Sequence, residues 1–335
     1  MVQNIGVFAC LAALLALVPM AQSDAGTLYD DHGPHTVETV LETWTDTARE
    51  REVPVKLYLP DGEGPFPVVI FSHGLAGSRE AAPYLGEHWA SHGFLGVFVQ
   101  HPGTDRSLLE GMTSREEAIS ALRGRRDPAS ARARFEDIPF IIDELERRAA
   151  AGELAVDTNR LGLSGHSYGA ATTIALLGRS FGPRGQFGDD RIDAGIALSP
   201  TAPPARLPAR AHPRLYANMS TPMLHMTGTE DRAAVQPDID PADRTIPFQL
   251  IPDGEQYLVV FQDGDHSVFG GRRRAPGGGA VPDWYPDVQA VTAEITTVFW
   301  QAHLNGDTDA LAWLAGTGLD ASVREHDRVE RRNLD

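Results

Sequence analysis

The sequence predicts an open, mostly parallel α/β sheet of eight strands with helices on both faces, and three observations carry that expectation. Two runs near the N-terminus, Thr36 to Trp44 and Val53 to Leu59, alternate apolar and polar residues as half-exposed antiparallel strands do. Six later runs are apolar almost throughout, as strands covered on both faces must be: Pro67 to Ser72, Phe94 to Val99, Arg160 to Ser164, Ile192 to Leu198, Met223 to Thr227 and Tyr257 to Phe261. Helix-like stretches separate them at Glu80 to His92, Ala131 to Ala150, Tyr168 to Leu177 and Val288 to Leu304, the last two suited to crossovers that cover a sheet. Two long connections interrupt the rhythm, Pro102 to Ser130 and Pro200 to Thr221. Both follow strand C-termini, where loops of open α/β sheets shape ligand sites.

The chain has 335 residues, 42% of them apolar and 22% charged, enough to build a packed core. Acidic residues outnumber basic ones 46 to 29, and the formal charge of -17 repels phosphate backbones and anionic headgroups. A nucleic-acid partner is therefore not expected. Lys56 is the one lysine among the basic residues, a composition bias to which no function is attached.

Ile5 to Val18 is an uncharged apolar run, followed by Pro19 and the small residues Ala21, Ser23 and Ala25. This reads as a secretory signal over residues 1–23, leaving residues 24–335 as one α/β domain that is secreted or periplasmic. The run is short for a bilayer span, so no stable membrane anchor is expected. Cys10, the single cysteine, lies inside it, so the remaining chain offers neither a disulfide nor a thiol nucleophile. Nothing in the pattern specifies an oligomeric state.

The chemistry concentrates at Gly165-His-Ser-Tyr-Gly169, which directly follows one apolar strand and opens a helical run. A serine on a tight strand-to-helix turn needs small neighbours, and the helix N-terminus offers N–H groups to a developing oxyanion. Ser167 is the expected nucleophile. A serine hydroxyl requires a base that a carboxylate orients, in the chain order serine, acid, histidine. Asp231 is the expected acid, since Met223 to Thr227 runs into Thr229-Glu230-Asp231 and places carboxylates at a strand end; Glu230 is the local rival. His266, in the loop after the last strand, is the expected base, and Asp265 beside it is read as a turn residue.

His73-Gly74-Leu75 follows the strand ending at Ser72, where a first oxyanion loop would begin, so Leu75 and Tyr168 are the expected N–H donors. His73 either braces that loop or packs, and His166 is expected to be structural.

These residues resemble the α/β-hydrolase superfamily. More narrowly they resemble its dienelactone-hydrolase-like, plasma platelet-activating-factor acetylhydrolase-like and polyester-hydrolase (cutinase-like) group. The resemblance covers roughly residues 53–314 and rests on Phe71-Ser-His-Gly-Leu75, Arg160 to Ala170, Thr227-Gly-Thr-Glu-Asp231, Asp265-His266 and the tail from Leu304 to Leu314. It implies a serine carboxylic-ester hydrolase that forms an acyl-enzyme, takes a small-molecule ester and needs no cofactor. Two departures stand out. Dienelactone hydrolases use a cysteine where this chain has Ser167, and the cysteine pair near the histidine of many polyester hydrolases is missing. The Arg- and Pro-rich stretch between Ser199 and Pro222 holds no long apolar lid, which favours a short or medium acyl chain. A lipase, acetylhydrolase or polyester hydrolase with a larger substrate is the alternative within the fold, and an inactive binding protein the alternative outside catalysis.

Two further features of the sequence bear on ligands. Asp238, Asp240 and Asp243, with His32 and His35, suggest a metal, but the carboxylates lack the glycine and terminal glutamate of a calcium loop and are read as a solvated turn. The basic Gly270 to Gly279 segment is read as a solvated linker, or else as a loop at the site's edge that attracts acidic substrates.

Overall fold

The computed structural model describes residues 28–29, 31–125, 127–203, 207–271 and 280–334. The expected signal segment, residues 1–23, and residues 272–279 of the basic loop lie outside them. In chain order the main elements are β1 (Val37–Asp46), β2 (Arg51–Pro60), β3 (Phe66–Ser72), α1 (Pro83–Ser91), β4 (Leu95–Val99), α2 (Arg115–Gly124), α3 (Pro128–Ala150), β5 (Val156–His166) and α4 (Tyr168–Leu176). The second half continues with β6 (Ala194–Leu198), α5 (Pro213–Tyr216), β7 (Met223–Glu230), α6 (Ile246–Leu250), β8 (Gln256–Asp265), α7 (Tyr285–Leu304), α8 (Thr308–Ala315), α9 (Gly318–Ser322) and β9 (Arg328–Arg332).

All strands join one sheet in the order β1-β2-β4-β3-β5-β6-β7-β8-β9. Pairs from β4 to β8 are parallel, while β1, β2 and β9 add antiparallel edges. The chain thus has the α/β-hydrolase fold, with one strand more than the eight its sequence predicts. Strand β9 reads Arg-Val-Glu-Arg-Arg, charged at four of five positions, and carries no apolar signal. Its arginines fasten it instead: Arg331 donates to the carbonyls of Leu314 and Gly316, and Arg332 to those of Phe248 and Gln249. A charged edge strand also discourages further strand addition.

Side-chain alternation assigns each face of the sheet its own core. Along β3, Val69 and Phe71 pack with α1, α7 and α8, whereas Val68 and Ile70 pack with α3 and α4. Trp89 of α1 and Trp300 of α7 meet edge to face at 6.0 Å, and the Trp89 indole N–H donates to Thr296 Oγ1 at 2.9 Å. Either indole contributes about 3–5 kcal/mol by the usual cost of truncating a buried aromatic.

The Pro102 to Ser130 connection holds a helix that its charge and glycine content hid. Ser114 and Glu117 form a capping box at the N-terminus of α2, with the Glu117 N–H donating to Ser114 Oγ at 3.1 Å. Among the described residues no group of three His, Cys, Asp or Glu side chains is arranged to hold a metal. Asp240 and Asp243 instead cap the short turn Pro241–Thr245. No described helix is long and apolar enough to cross a membrane.

Candidate active site

Ser167 sits between β5 and α4 at φ 57° and ψ -109°, a conformation in which an L-residue is strained. The surrounding packing enforces it. A Cβ on Gly169 would fall 1.7 Å from the carbonyl oxygen of Ser72, and one on Gly165 would fall 2.3 Å from the Gly169 carbonyl carbon. Both glycines of the motif are therefore demanded by close backbone approach, and the tight turn lifts Ser167 out of the strand.

The structure brings Ser167, His266 and Asp231 together from the ends of three parallel strands. His266 Nε2 lies 2.8 Å from Ser167 Oγ, and its Nδ1 lies 2.6 Å from Asp231 Oδ1. Because Nδ1 faces a carboxylate it carries the proton, which leaves Nε2 as the acceptor for the serine hydroxyl. Asp231 is fully buried; Glu230, its rival, is exposed. Asp265 accepts from the Tyr285 hydroxyl and from the Ser267 N–H, and so holds the loop that carries the histidine.

Burial by itself would raise the Asp231 carboxyl. The His266 hydrogen bond and charge and the Arg244 guanidinium outweigh it and hold the group down to about 2. Arg244 was not foreseen. It is fully buried, its Nε lies 2.8 Å from both the Asp231 main-chain oxygen and Oδ1, and its Nη1 donates to the carbonyls of Ser199 and Pro200. One cation thereby ties the end of β7 to the end of β6. Thr227 Oγ1 supplies a further donor to Asp231 Oδ2 at 2.8 Å.

His166 is half-buried, and its Nε2 lies 2.8 Å from the His266 carbonyl oxygen. Burial first, and the neighbouring His266 next, push its imidazole down to about 3, so it is neutral with Nε2–H donating.

The turn after β3 lies over the serine: a Cβ on Gly74 would stand 3.4 Å from Ser167 Cβ. Leu75 follows in that turn, and Tyr168 is the first residue of α4. Beneath the turn lies a second serine–histidine–aspartate line that sequence reasoning missed. Ser72 Oγ is 2.9 Å from His101 Nε2, and His101 Nδ1 is 2.9 Å from Asp137 Oδ2. All three are buried away from solvent, and Ser72 Oγ accepts from Arg134 Nη2 at 3.0 Å, so this line supports the turn. Arg49 and Arg51 complete the shell of Asp137. No local pattern marks these residues, because each is recruited from a different element.

The sequence model of the family "Platelet-activating factor acetylhydrolase, isoform II" matches residues 40–125, a span that holds the turn over the serine but stops short of Ser167. The platelet-activating factor acetylhydrolase of Cavia porcellus is 29% identical over 44% of this chain and 38% of its own length. That of Bos taurus is 28% identical over 40% of this chain and 34% of its own. The chain thus spans little more than a third of the length of these curated relatives. The sheet order and the strained serine turn are those of the α/β-hydrolase fold, and within that fold the chain is similar to platelet-activating factor acetylhydrolases.

Proposed function

We propose that the chain is a serine carboxylic-ester hydrolase working through an acyl-enzyme on a small ester with a short acyl group. The observation that carries this reading is the continuous hydrogen-bond line Ser167 Oγ, His266 Nε2, His266 Nδ1, Asp231 Oδ1, at 2.8 and 2.6 Å. Ser167 Oγ attacks the acyl carbon while His266 Nε2 takes its proton. The tetrahedral oxyanion accepts from the N–H groups of Leu75 and Tyr168; collapse expels the alcohol, which receives the proton from His266. Water then attacks the acyl-serine, giving its proton to His266, and the acid leaves as the serine hydroxyl reforms. Asp231 holds the imidazole tautomer and stabilises the imidazolium.

The names of the relatives specify an acetyl group, which favours the short end of the acyl range. A fluorophosphonate probe combined with a p-nitrophenyl ester series tests the reading. Wild-type protein should be labelled and should prefer acetate or butyrate to palmitate, and Ser167→Ala should show neither labelling nor turnover. Turnover that survives in Ser167→Ala overturns the proposal.

A further inference from the structure

The turn over Ser167 contains a histidine that the mechanism above does not use. His73 is fully buried, and both its ring nitrogens are occupied. Its Nε2 accepts from the main-chain N–H of His101 at 3.1 Å. Its Nδ1 lies 2.6 Å from the carbonyl oxygen of Gly74. A nitrogen that accepts from a main-chain N–H cannot carry the proton, so the proton is on Nδ1, and Nδ1–H donates to Gly74.

That carbonyl shares a planar trans peptide with the Leu75 N–H, so the two point in opposite directions. Fixing the Gly74 oxygen therefore aims the Leu75 N–H. Two donors fix it, His73 Nδ1–H and the Gly77 N–H at 2.9 Å. The far side of the turn is pinned as well: the Ala76 N–H donates to Thr104 O and the Arg106 N–H to Gly77 O. Buried Arg134 donates to the His73 carbonyl and reaches Ser72, Thr104 and Thr172. Rotating the Gly74–Leu75 peptide would break both bonds to Gly74 O and turn a carbonyl toward the space above Ser167.

We infer that His73 is a positioning residue, whose Nδ1–H clamps the Gly74 carbonyl and so presents the Leu75 N–H to the oxyanion of the bound ester. This rests on the proposed ester hydrolysis and assigns a role within the same site. Charge on His73 would place a second proton against the His101 N–H; burial, Arg134 and His101 all hold its imidazole well below the ordinary range.

Two substitutions separate positioning from packing. In His73→Asn the amide nitrogen occupies the place of Nδ1 and keeps the donor to Gly74, but the acceptor for His101 is lost. In His73→Gln the amide reaches the place of Nε2 and keeps that acceptor, but the donor to Gly74 is lost. Both are assayed beside Ser167→Ala with p-nitrophenyl acetate and a trifluoromethyl ketone, whose adduct carries an oxyanion. His73→Gln should lower kcat about tenfold to a hundredfold with KM little changed, and should weaken ketone binding in parallel. His73→Asn should stay within about threefold of wild type on both measures. Equal losses in the two variants, or an unimpaired His73→Gln, would overturn the inference, whereas activity in Ser167→Ala would instead overturn the reaction assignment. Nitrogen NMR of the His73 ring in the wild-type protein checks the same claim without a variant. Signals of an Nδ1–H tautomer support it, and an Nε2–H tautomer or an imidazolium at neutral pH rules it out.

Discussion

His166 donates its Nε2–H to the main-chain oxygen of His266 at 2.8 Å, with the two rings 5.0 Å apart. The residue before Ser167 therefore holds the backbone of the histidine that Ser167 faces, and the serine turn and the histidine loop are set against each other directly. A single neutral hydrogen bond of this kind contributes about 1 kcal/mol, so its loss acts on geometry more than on folding. His166→Phe is expected to lower kcat for p-nitrophenyl acetate about tenfold while the urea midpoint moves little. A wild-type kcat in a folded His166→Phe protein would count against this link.

Arg244 and Asp231 form a buried ion pair that also carries three main-chain carbonyls. Removing one partner leaves an uncompensated buried charge, at a typical cost of about 3–5 kcal/mol. Arg244→Met and Asp231→Asn should both show that loss in urea unfolding. They should differ in turnover: Asp231→Asn should lose about 10⁴-fold in kcat by losing the imidazole tautomer, while folded Arg244→Met keeps the acid and loses far less. Equal turnover in the two folded variants would refute the distinction.

Gly169 admits no side chain. With the Ser72 oxygen 1.7 Å from any added Cβ, Gly169→Ala must displace β3 or the start of α4. It should destabilise the fold by at least about 3 kcal/mol, the upper range for overpacking, and abolish fluorophosphonate labelling. Gly306→Ala is the control for backbone strain alone, since its added Cβ would meet nothing within 4 Å although φ is positive. It should retain labelling.

Acid should destabilise the protein in two stages. His101 and His225 are held down to about 4 and His166 to about 3, in each case chiefly by burial, against an ordinary value of 6.5. Between those values the unfolded chain binds protons that the folded chain refuses. Their contribution is therefore complete above about pH 6.5 and is lost as pH falls toward about 4 and then 3. Asp137 and Asp231, held near about 2 despite burial by their His and Arg partners, add stability that is lost only below 3.8. The melting temperature should fall steadily from pH 6.5 to 4 and more steeply below. A flat profile between pH 7 and 5 would contradict this order. Replacing His225, which pairs with Gln256 in the core, by Gln should flatten the first stage.

How much was legible in advance follows from where each signal resides. Strands β3 to β8 announce themselves because burial on both faces demands an apolar run. The serine turn is readable because its glycines and the flanking strand and helix lie within a dozen residues. Asp231 and His266 could be named because chain order and strand ends confine where an acid and a base must fall. Strand β9 and helix α2 escaped because they are charged and rest on caps and arginine–carbonyl bonds. Arg244, Arg134, His101 and Asp137 carry no local mark at all.

The amino-acid order by itself determined the α/β alternation, the parallel core and the places along the chain where Ser167, Asp231 and His266 leave their strands. Those are properties of hydrophobic periodicity and turn chemistry, which act over a few residues. Only the tertiary structure decided that Arg244 shares the carboxylate of Asp231, that His166 holds the His266 backbone and that His73 clamps the turn above Ser167. Such contacts join residues 13 to 100 positions apart or bind a ring to the carbonyl of the next residue, and they exist only after the sheet has brought the strand ends together.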